Sequence, residues 1–300
     1  MKNLYNFIFC LLLCSTLATG QQLNQTYTYA SGSTHLLGEF RPDALSDAPF
    51  QDWYDTTYQQ YEPAAAQLAA LKESGSLPDS MTIFMGTWCG DSKREVPRML
   101  RLLTALDYDM ARVKLIGVSR DIDFYKQSPD QQQYGLNIHR VPTFLLHDAA
   151  GNITQRIVEH PVASLEADLL AITAGDDYTP SYAVANGLDT LIHNRSMSWL
   201  NAHKDSLQQV LAPLLSKESE LNTYALTLYS TKRLGRAAWV LDLNASIYPE
   251  YVNSCYWLGM IYMYMGREEE ALACMQKASA LLPEHEGIKY YVSLLSEWTE

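Results

Sequence analysis

Basic residues and cysteines are scarce in this sequence of 300 residues. The 22 lysines and arginines stand against 34 aspartates and glutamates, which gives a formal net charge of −12. This negative field repels phosphate backbones, so nucleic acid is excluded as an expected partner. The five cysteines are too few for a disulfide framework. A hydrophobic fraction of 47% excludes intrinsic disorder and can fill the core of one large domain or two ordinary ones.

Long apolar runs are equally rare, and the one that suggests targeting lies at the N-terminus. Residues 1–20 contain one lysine, then an apolar stretch of about ten residues, then small residues before Gln21. This pattern predicts a signal peptide and export to the periplasm or the extracellular space of a bacterium. Lipoprotein anchoring through Cys14 is the less favoured alternative, because a bulky leucine precedes it. No transmembrane segment is expected in the mature chain.

Residues 50–176, which follow an N-terminal extension at 21–49, alternate strand patterns with helical ones. Helices are predicted over 50–74 and 92–106, and Ser164 can cap a third. Four apolar runs predict strands, at 81–85, 113–118, 143–147 and 153–158. This order predicts an α/β domain with a central mixed sheet flanked by helices.

Strand patterns then end, and residues 180–300 are predicted to form an all-α domain. Positions 34 residues apart match in this segment: Ala225 with Gly259, Leu228 with Tyr262, Ala237 with Ala271, Leu241 with Met275 and Pro249 with Pro283. The pattern resembles the tetratricopeptide repeat, with copies at about 218–251 and 252–285. Because such units need neighbours, the resemblance implies another helical pair over 186–217 and a capping helix over 285–298.

The first helices of these two repeats carry aromatic and methionine side chains: Tyr229, Tyr256, Met260, Met263 and Tyr264. In tetratricopeptide proteins such positions line a concave groove that can hold a peptide, so a partner groove is one hypothesis. Packing between repeats or beneath the capping helix explains the same residues equally well. Cys255 and Cys274 are expected to be buried in the repeats, with Cys255 facing Met275.

Cleavage of the signal peptide would leave three cysteines, and one of them has a distinctive setting. Cys89 lies where a predicted strand gives way to a helix, and the positive end of the helix dipole favours its thiolate form. Three features resemble the thioredoxin-like superfamily, in its exported bacterial branch, over about residues 50–175: Trp88-Cys89-Gly90, Pro97 and Val141-Pro142-Thr143. Ser92 replaces the second cysteine of the family signature, as in a monothiol variant.

The resemblance implies roles for individual residues. Cys89 would be the nucleophile, Ser92 would hydrogen-bond its thiolate, and Trp88 would pack half-exposed beside it. A docking loop would lie against the cysteine: Val141 would recognise an extended client, Pro142 would follow a cis bond, and Thr143 would begin the next strand. Residues 121–140 are predicted to form a helical insert beside this site.

Two functions are compatible with these patterns. The first is thiol–disulfide exchange, or mixed-disulfide capture of protein clients, through Cys89 with an external redox partner. The alternative is a catalytically idle adaptor in which both domains bind protein. The seven histidines share no ligand spacing, so neither a metal nor a cofactor is expected.

Overall fold

A computed structural model of the chain describes residues 22–299, and the predicted signal peptide lies outside the described residues. A hairpin comes first, formed by β1 (Thr26–Thr28) and β2 (Thr34–Leu36). A five-stranded sheet follows, built from β3 (Gly38–Phe40), β4 (Ser80–Met85), β5 (Val113–Gly117), β6 (Thr143–His147) and β7 (Ile153–Val158). All four strands that the sequence predicts are therefore present, and the mixed sheet is confirmed.

The strand order across the sheet is β3-β5-β4-β6-β7. β4 and β5 are parallel, and every other neighbouring pair is antiparallel. β3 comes from the segment 21–49, so the predicted extension supplies one edge of the sheet. Gly117 allows the chain to pass closely there, because a Cβ atom on it would lie 2.3 Å from the Leu36 carbonyl oxygen.

Four helices pack with this sheet: α1 (Gln51–Gln60), α2 (Ala65–Ser74), α3 (Gly90–Ala105) and α4 (Leu165–Ala174). The prediction of one helix over 50–74 is wrong. Pro63 separates α1 from α2, because proline lacks an amide hydrogen and disfavours a helical conformation in the residue before it. The predicted cap of α4 is confirmed, since the Ser164 Oγ accepts a hydrogen bond of 3.1 Å from the Ala167 amide.

The C-terminal half is helical throughout, as predicted. Its helices are α5 (Ala183–Asn194), α6 (Met197–Ala202), α7 (Lys204–Leu211), α8 (Ser219–Ser230), α9 (Leu234–Ile247), α10 (Val252–Tyr264), α11 (Glu268–Leu281) and α12 (Glu286–Thr299). The region 186–217 holds three helices rather than a pair, because Ser196 caps a new helix within it. The predicted capping helix corresponds to α12.

Small residues bring the repeat helices together. A Cβ atom on Gly259 would lie 3.0 Å from the Met275 side chain, so α10 and α11 are in close contact there. The predicted register between these helices differs by about one turn. Cys255 packs with Ala278 and Ile288, whereas Met275 lies against Gly259. All three cysteines of the described chain are free thiols.

Candidate functional site

Cys89 is the residue that precedes the first turn of α3. β4 ends at Met85, and the chain turns sharply before α3 begins at Gly90. The Cys89 thiol is partly exposed and donates a hydrogen bond of 3.2 Å to the Val141 carbonyl oxygen. The fold therefore brings the predicted nucleophile and the predicted docking loop together at the N-terminal end of a 16-residue helix.

The side chains of the docking loop are buried. The Val141–Pro142 bond is cis, the conformation that the resemblance implies. Val141 and Thr143 are each only 1% exposed, and Pro142 is also buried. The Pro142 carbonyl already accepts a hydrogen bond of 2.7 Å from the Glu159 amide. The Val141 side chain lies in the core, so recognition of a client at this position would have to use the backbone, and it stays a prediction.

Ser92 has a structural hydrogen bond. Its hydroxyl is fully buried and accepts a hydrogen bond of 3.2 Å from the Gly86 amide. The predicted hydrogen bond from Ser92 to the Cys89 sulfur is not formed. Ser92 instead ties the first turn of α3 to the end of β4, and so it fixes the turn that carries Cys89.

Trp88 packs beside the cysteine, as the sequence suggests. Its Nε1 donates a hydrogen bond of 2.9 Å to the Val118 carbonyl oxygen, and its ring is partly buried. The ring occupies the space next to Gly86, where a Cβ atom would lie 2.5 Å from it. This packing explains why the turn before Cys89 contains glycine.

Lys126 is a site residue that the sequence analysis missed. It is 5% exposed, and its Nζ lies 5.4 Å from the centre of the Trp88 ring and 4.6 Å from that of Tyr125. Burial lowers the pKa of Lys126 to about 8, and burial also raises the pKa of Tyr125 to about 12. Both residues lie in the segment 121–140, which is mostly turns and contains one short 3-10 helix, Ile122–Phe124, so the predicted helical insert is wrong.

Arg140, just before the docking loop, joins the two halves of the chain. Its guanidinium donates hydrogen bonds to Glu159 at 2.8 Å and to the Ser219 hydroxyl at 2.8 Å. The Tyr182 hydroxyl donates to the same Glu159 carboxylate. Burial opposes ionisation of Glu159, but the Arg140 charge and the Tyr182 hydrogen bond prevail and hold its pKa below the ordinary value. The helical half therefore contacts the α/β half next to the loop on which the Cys89 thiol lies.

The five predicted groove residues fall into two groups. Tyr256, Met260 and Met263 pack in the cluster that α12 closes, together with Leu295, which matches the packing alternative. Tyr229 and Tyr264 lie apart from that cluster, with their ring centres 5.9 Å apart.

Lys232 completes this second group. Its Nζ lies 5.5 Å from the Tyr229 ring centre and 5.4 Å from that of Tyr264. Tyr264 is 58% exposed. We call Tyr229, Tyr264 and Lys232 the tyrosine face. Tyr264 and Lys232 are exposed, Tyr229 is half-buried, and the Lys232 ammonium group pairs with Asp123 at 3.5 Å.

The described residues contain few features of other classes of site. Within residues 22–299, no three His, Cys, Asp or Glu side chains gather closely enough to bind a metal ion together. Over the same range, no helix combines the length and hydrophobicity that crossing a bilayer requires. Cys89 and the tyrosine face are the two candidate sites described above.

The chain folds as a mixed β-sheet packed with helices, followed by a helical region. The family model of the tetratricopeptide repeat matches residues 252–285, which correspond to α10 and α11. This confirms the second predicted repeat, and tetratricopeptide repeats are units that stack to form binding surfaces for proteins. A comparison with curated proteins found no significant match.

Proposed function

We propose that this protein is an adaptor that binds a protein partner through its helical half, on the tyrosine face. The tetratricopeptide match at residues 252–285 carries this proposal. Tyrosine suits the role because its ring offers a large apolar contact and its hydroxyl a hydrogen bond, at little cost in conformational entropy. Lys232, which pairs with Asp123 at 3.5 Å in the free protein, would exchange that carboxylate for one of the partner.

Site-specific cross-linking tests the proposal. A photoreactive phenylalanine derivative in place of Tyr264 is expected to form an adduct with the partner. The same derivative in place of Tyr27, which is 51% exposed on the N-terminal hairpin, is the matched control. Tyr264→Ala should then weaken binding of the captured partner about tenfold. Adducts of equal yield at both positions would contradict the assignment of the tyrosine face.

A second function is supported by the position of Cys89 before α3. We propose that its thiolate attacks one sulfur of a client disulfide, so that a new bond joins Cys89 to the client while the other client sulfur leaves as a thiolate. An external thiolate then attacks the client sulfur of this mixed disulfide, so that a disulfide joins the client to the external thiol while Cys89 leaves as a thiolate. Export, supported by the apolar N-terminal segment, would place this exchange in an oxidising compartment.

One substitution separates the two functions. Cys89→Ser removes the nucleophile and keeps a small polar side chain. If the protein acts only as an adaptor, partner binding is unchanged; if it exchanges disulfides, the covalent adducts seen on non-reducing gels disappear. Cys274→Ser, which alters a half-buried thiol within the repeats, is the control.

A further inference from the structure

A lysine with a mostly buried side chain lies over the ring of Trp88, the residue that precedes Cys89. Lys126 is 5% exposed, and its Nζ takes part in no ion pair among the residues that the structure describes. Its Nζ faces the aromatic rings of Trp88 and Tyr125. A lysine whose side chain is this buried loses much of the solvation of its charge, so a compensating negative charge nearby is favourable.

The backbone holds Lys126 in this place. The Ser119 amide donates to the Gln127 carbonyl at 2.9 Å, and the Lys126 amide donates back to the Ser119 carbonyl at 2.9 Å. These two bonds close the loop between residues 119 and 127. Lys126 itself has a φ of 57°, in the left-handed region that non-glycine residues rarely adopt. The loop therefore presents this side chain to the Trp88 ring by a specific geometry.

Trp88 connects the lysine to the cysteine. It immediately precedes Cys89, and both residues pack against the same apolar cluster below the site. Cys89 acts electrostatically on Lys126, as do Asp91 and Glu159 with opposite charge and Arg140 with like charge. Neither carboxylate is free to serve Lys126 alone, because Asp91 pairs with Arg94 and Glu159 pairs with Arg140.

We propose that Lys126 is a positioning residue for Cys89: its ammonium group stabilises negative charge on the Cys89 sulfur. This inference rests on the thiol function proposed above. The environment between Lys126 and Cys89 is largely apolar, so the attraction between the ammonium group and a thiolate is stronger there than in water. The helix N-terminus supplies the second stabilising contribution.

Alkylation kinetics test the proposal in the full-length mature chain. The rate of iodoacetamide reaction at Cys89 is measured by peptide mass spectrometry from pH 6 to pH 10.5, with Cys255 and Cys274 as internal references. Lys126→Met is compared with Lys126→Arg, which keeps the charge, and with Lys72→Met, which removes an equal charge from the exposed face of α2. Lys126→Gln serves as a second neutral variant should the methionine variant fold poorly.

The expected result is a change in the pH profile. Lys126→Met slows alkylation of Cys89 about tenfold at pH 7, and its rate converges with that of the wild type above pH 10, where thiols ionise without help. Lys126→Arg stays within about threefold of the wild type, and Lys72→Met is unchanged. Superimposable profiles for the wild type and both neutral variants, or a slowing by one factor at every pH, would overturn the proposal.

Trapping of clients by Cys89 is measured separately, so that the role of Lys126 and the exchange function can fail independently. If Lys126 alters the alkylation profile but Cys89 traps no client, the electrostatic role stands and the exchange function fails. If Cys89 traps clients while the neutral variants behave as the wild type, the exchange function stands and the role of Lys126 fails.

Discussion

Gly86 illustrates how a single residue determines the turn before Cys89. A Cβ atom there would lie 2.5 Å from the Trp88 ring, and the ring is held by its hydrogen bond to the Val118 carbonyl oxygen. Gly86→Ala is therefore expected to lower the free energy of unfolding by about 1–3 kcal/mol, because the ring must move from a packed position. Urea denaturation followed by tryptophan fluorescence measures the change.

Gly90→Ala is the matched control for this substitution. Gly90 lies four residues further along, in the first turn of α3, and a Cβ atom on it meets nothing within 4 Å. Alanine there is expected to leave stability unchanged or to raise it by up to about 1 kcal/mol, since it restricts the unfolded chain. Equal losses for the two variants would show that the Trp88 ring does not determine the need for glycine.

Lys126 gives a prediction in the opposite direction, because its replacement should raise the free energy of unfolding. Its pKa is lowered by burial from 10.5 to about 8, so between these values the unfolded chain binds more protons than the folded one. Stability contributed by this group therefore rises as the pH rises from 8 to 10.5, and below pH 8 the full penalty of burying the charge remains.

Lys126→Met should accordingly raise the free energy of unfolding by about 1–3 kcal/mol at pH 7. The gain should shrink as the pH rises from 8 towards 10.5, because the wild-type lysine is then neutral in the folded chain and progressively loses its proton in the unfolded one. Urea titrations of both proteins at pH 7 and pH 10 measure the difference. A methionine variant less stable than the wild type at pH 7 would contradict the idea that the buried lysine is held at a cost to stability.

At the scale of elements, the sequence predicts strands and repeat helices well because their apolar residues follow a clear period. β4 is a short, almost continuous apolar run, and the 34-residue period marks the repeats. Two of the errors, at 50–74 and 121–140, share a cause. Both segments contain residues with good helix propensity, but Pro63 divides the first and Pro129 with Gly135 breaks the second. In both segments, proline or glycine at one or two positions outweighs the helix propensity of the surrounding residues.

The packing of α10 on α11 gives a prediction at this scale. A Cβ atom on Gly259 would lie 3.0 Å from the Met275 side chain and 3.3 Å from the Ala271 carbonyl oxygen. Gly259→Val should separate the helices and lower the free energy of unfolding by about 1–3 kcal/mol. Gly235→Val in α9, where a Cβ atom has no neighbour within 4 Å, should change it by less than about 0.5 kcal/mol. Thermal unfolding followed by circular dichroism distinguishes the two.

At the scale of the whole molecule, the sequence predicts the site only in part. Cys89, Trp88 and the cis bond before Pro142 follow from a local motif and its resemblance to a family. Lys126 and Arg140 belong to no periodic pattern, and their importance arises from contacts between distant segments. The burial of Val141 likewise depends on Leu136 and Ile138 of the segment 121–140, which pack in the same cluster and which a local motif does not encode.

Arg140 joins those halves, so its replacement should lower the stability of the whole molecule. Its side chain is 12% exposed, and it pairs with Glu159 while donating to Ser219 on α8. Arg140→Met leaves the Glu159 carboxylate buried without its cation, which is expected to lower the free energy of unfolding by about 3–5 kcal/mol. Adding Glu159→Gln should recover part of this loss, because the uncompensated charge is then removed.

Limited proteolysis shows whether the loss acts on the join between the halves. Residues 176–180, between α4 and α5, are the expected site of new cleavage in Arg140→Met, because that connection is already largely exposed and becomes free to move once the halves separate. Lys289→Met removes an exposed ion pair with Glu286 on α12 and should change stability by less than about 0.5 kcal/mol, with no new cleavage. If Arg140→Met lost stability but its connection resisted protease as the wild type does, Arg140 would be stabilising the α/β half alone, and the helical half would be held by other contacts.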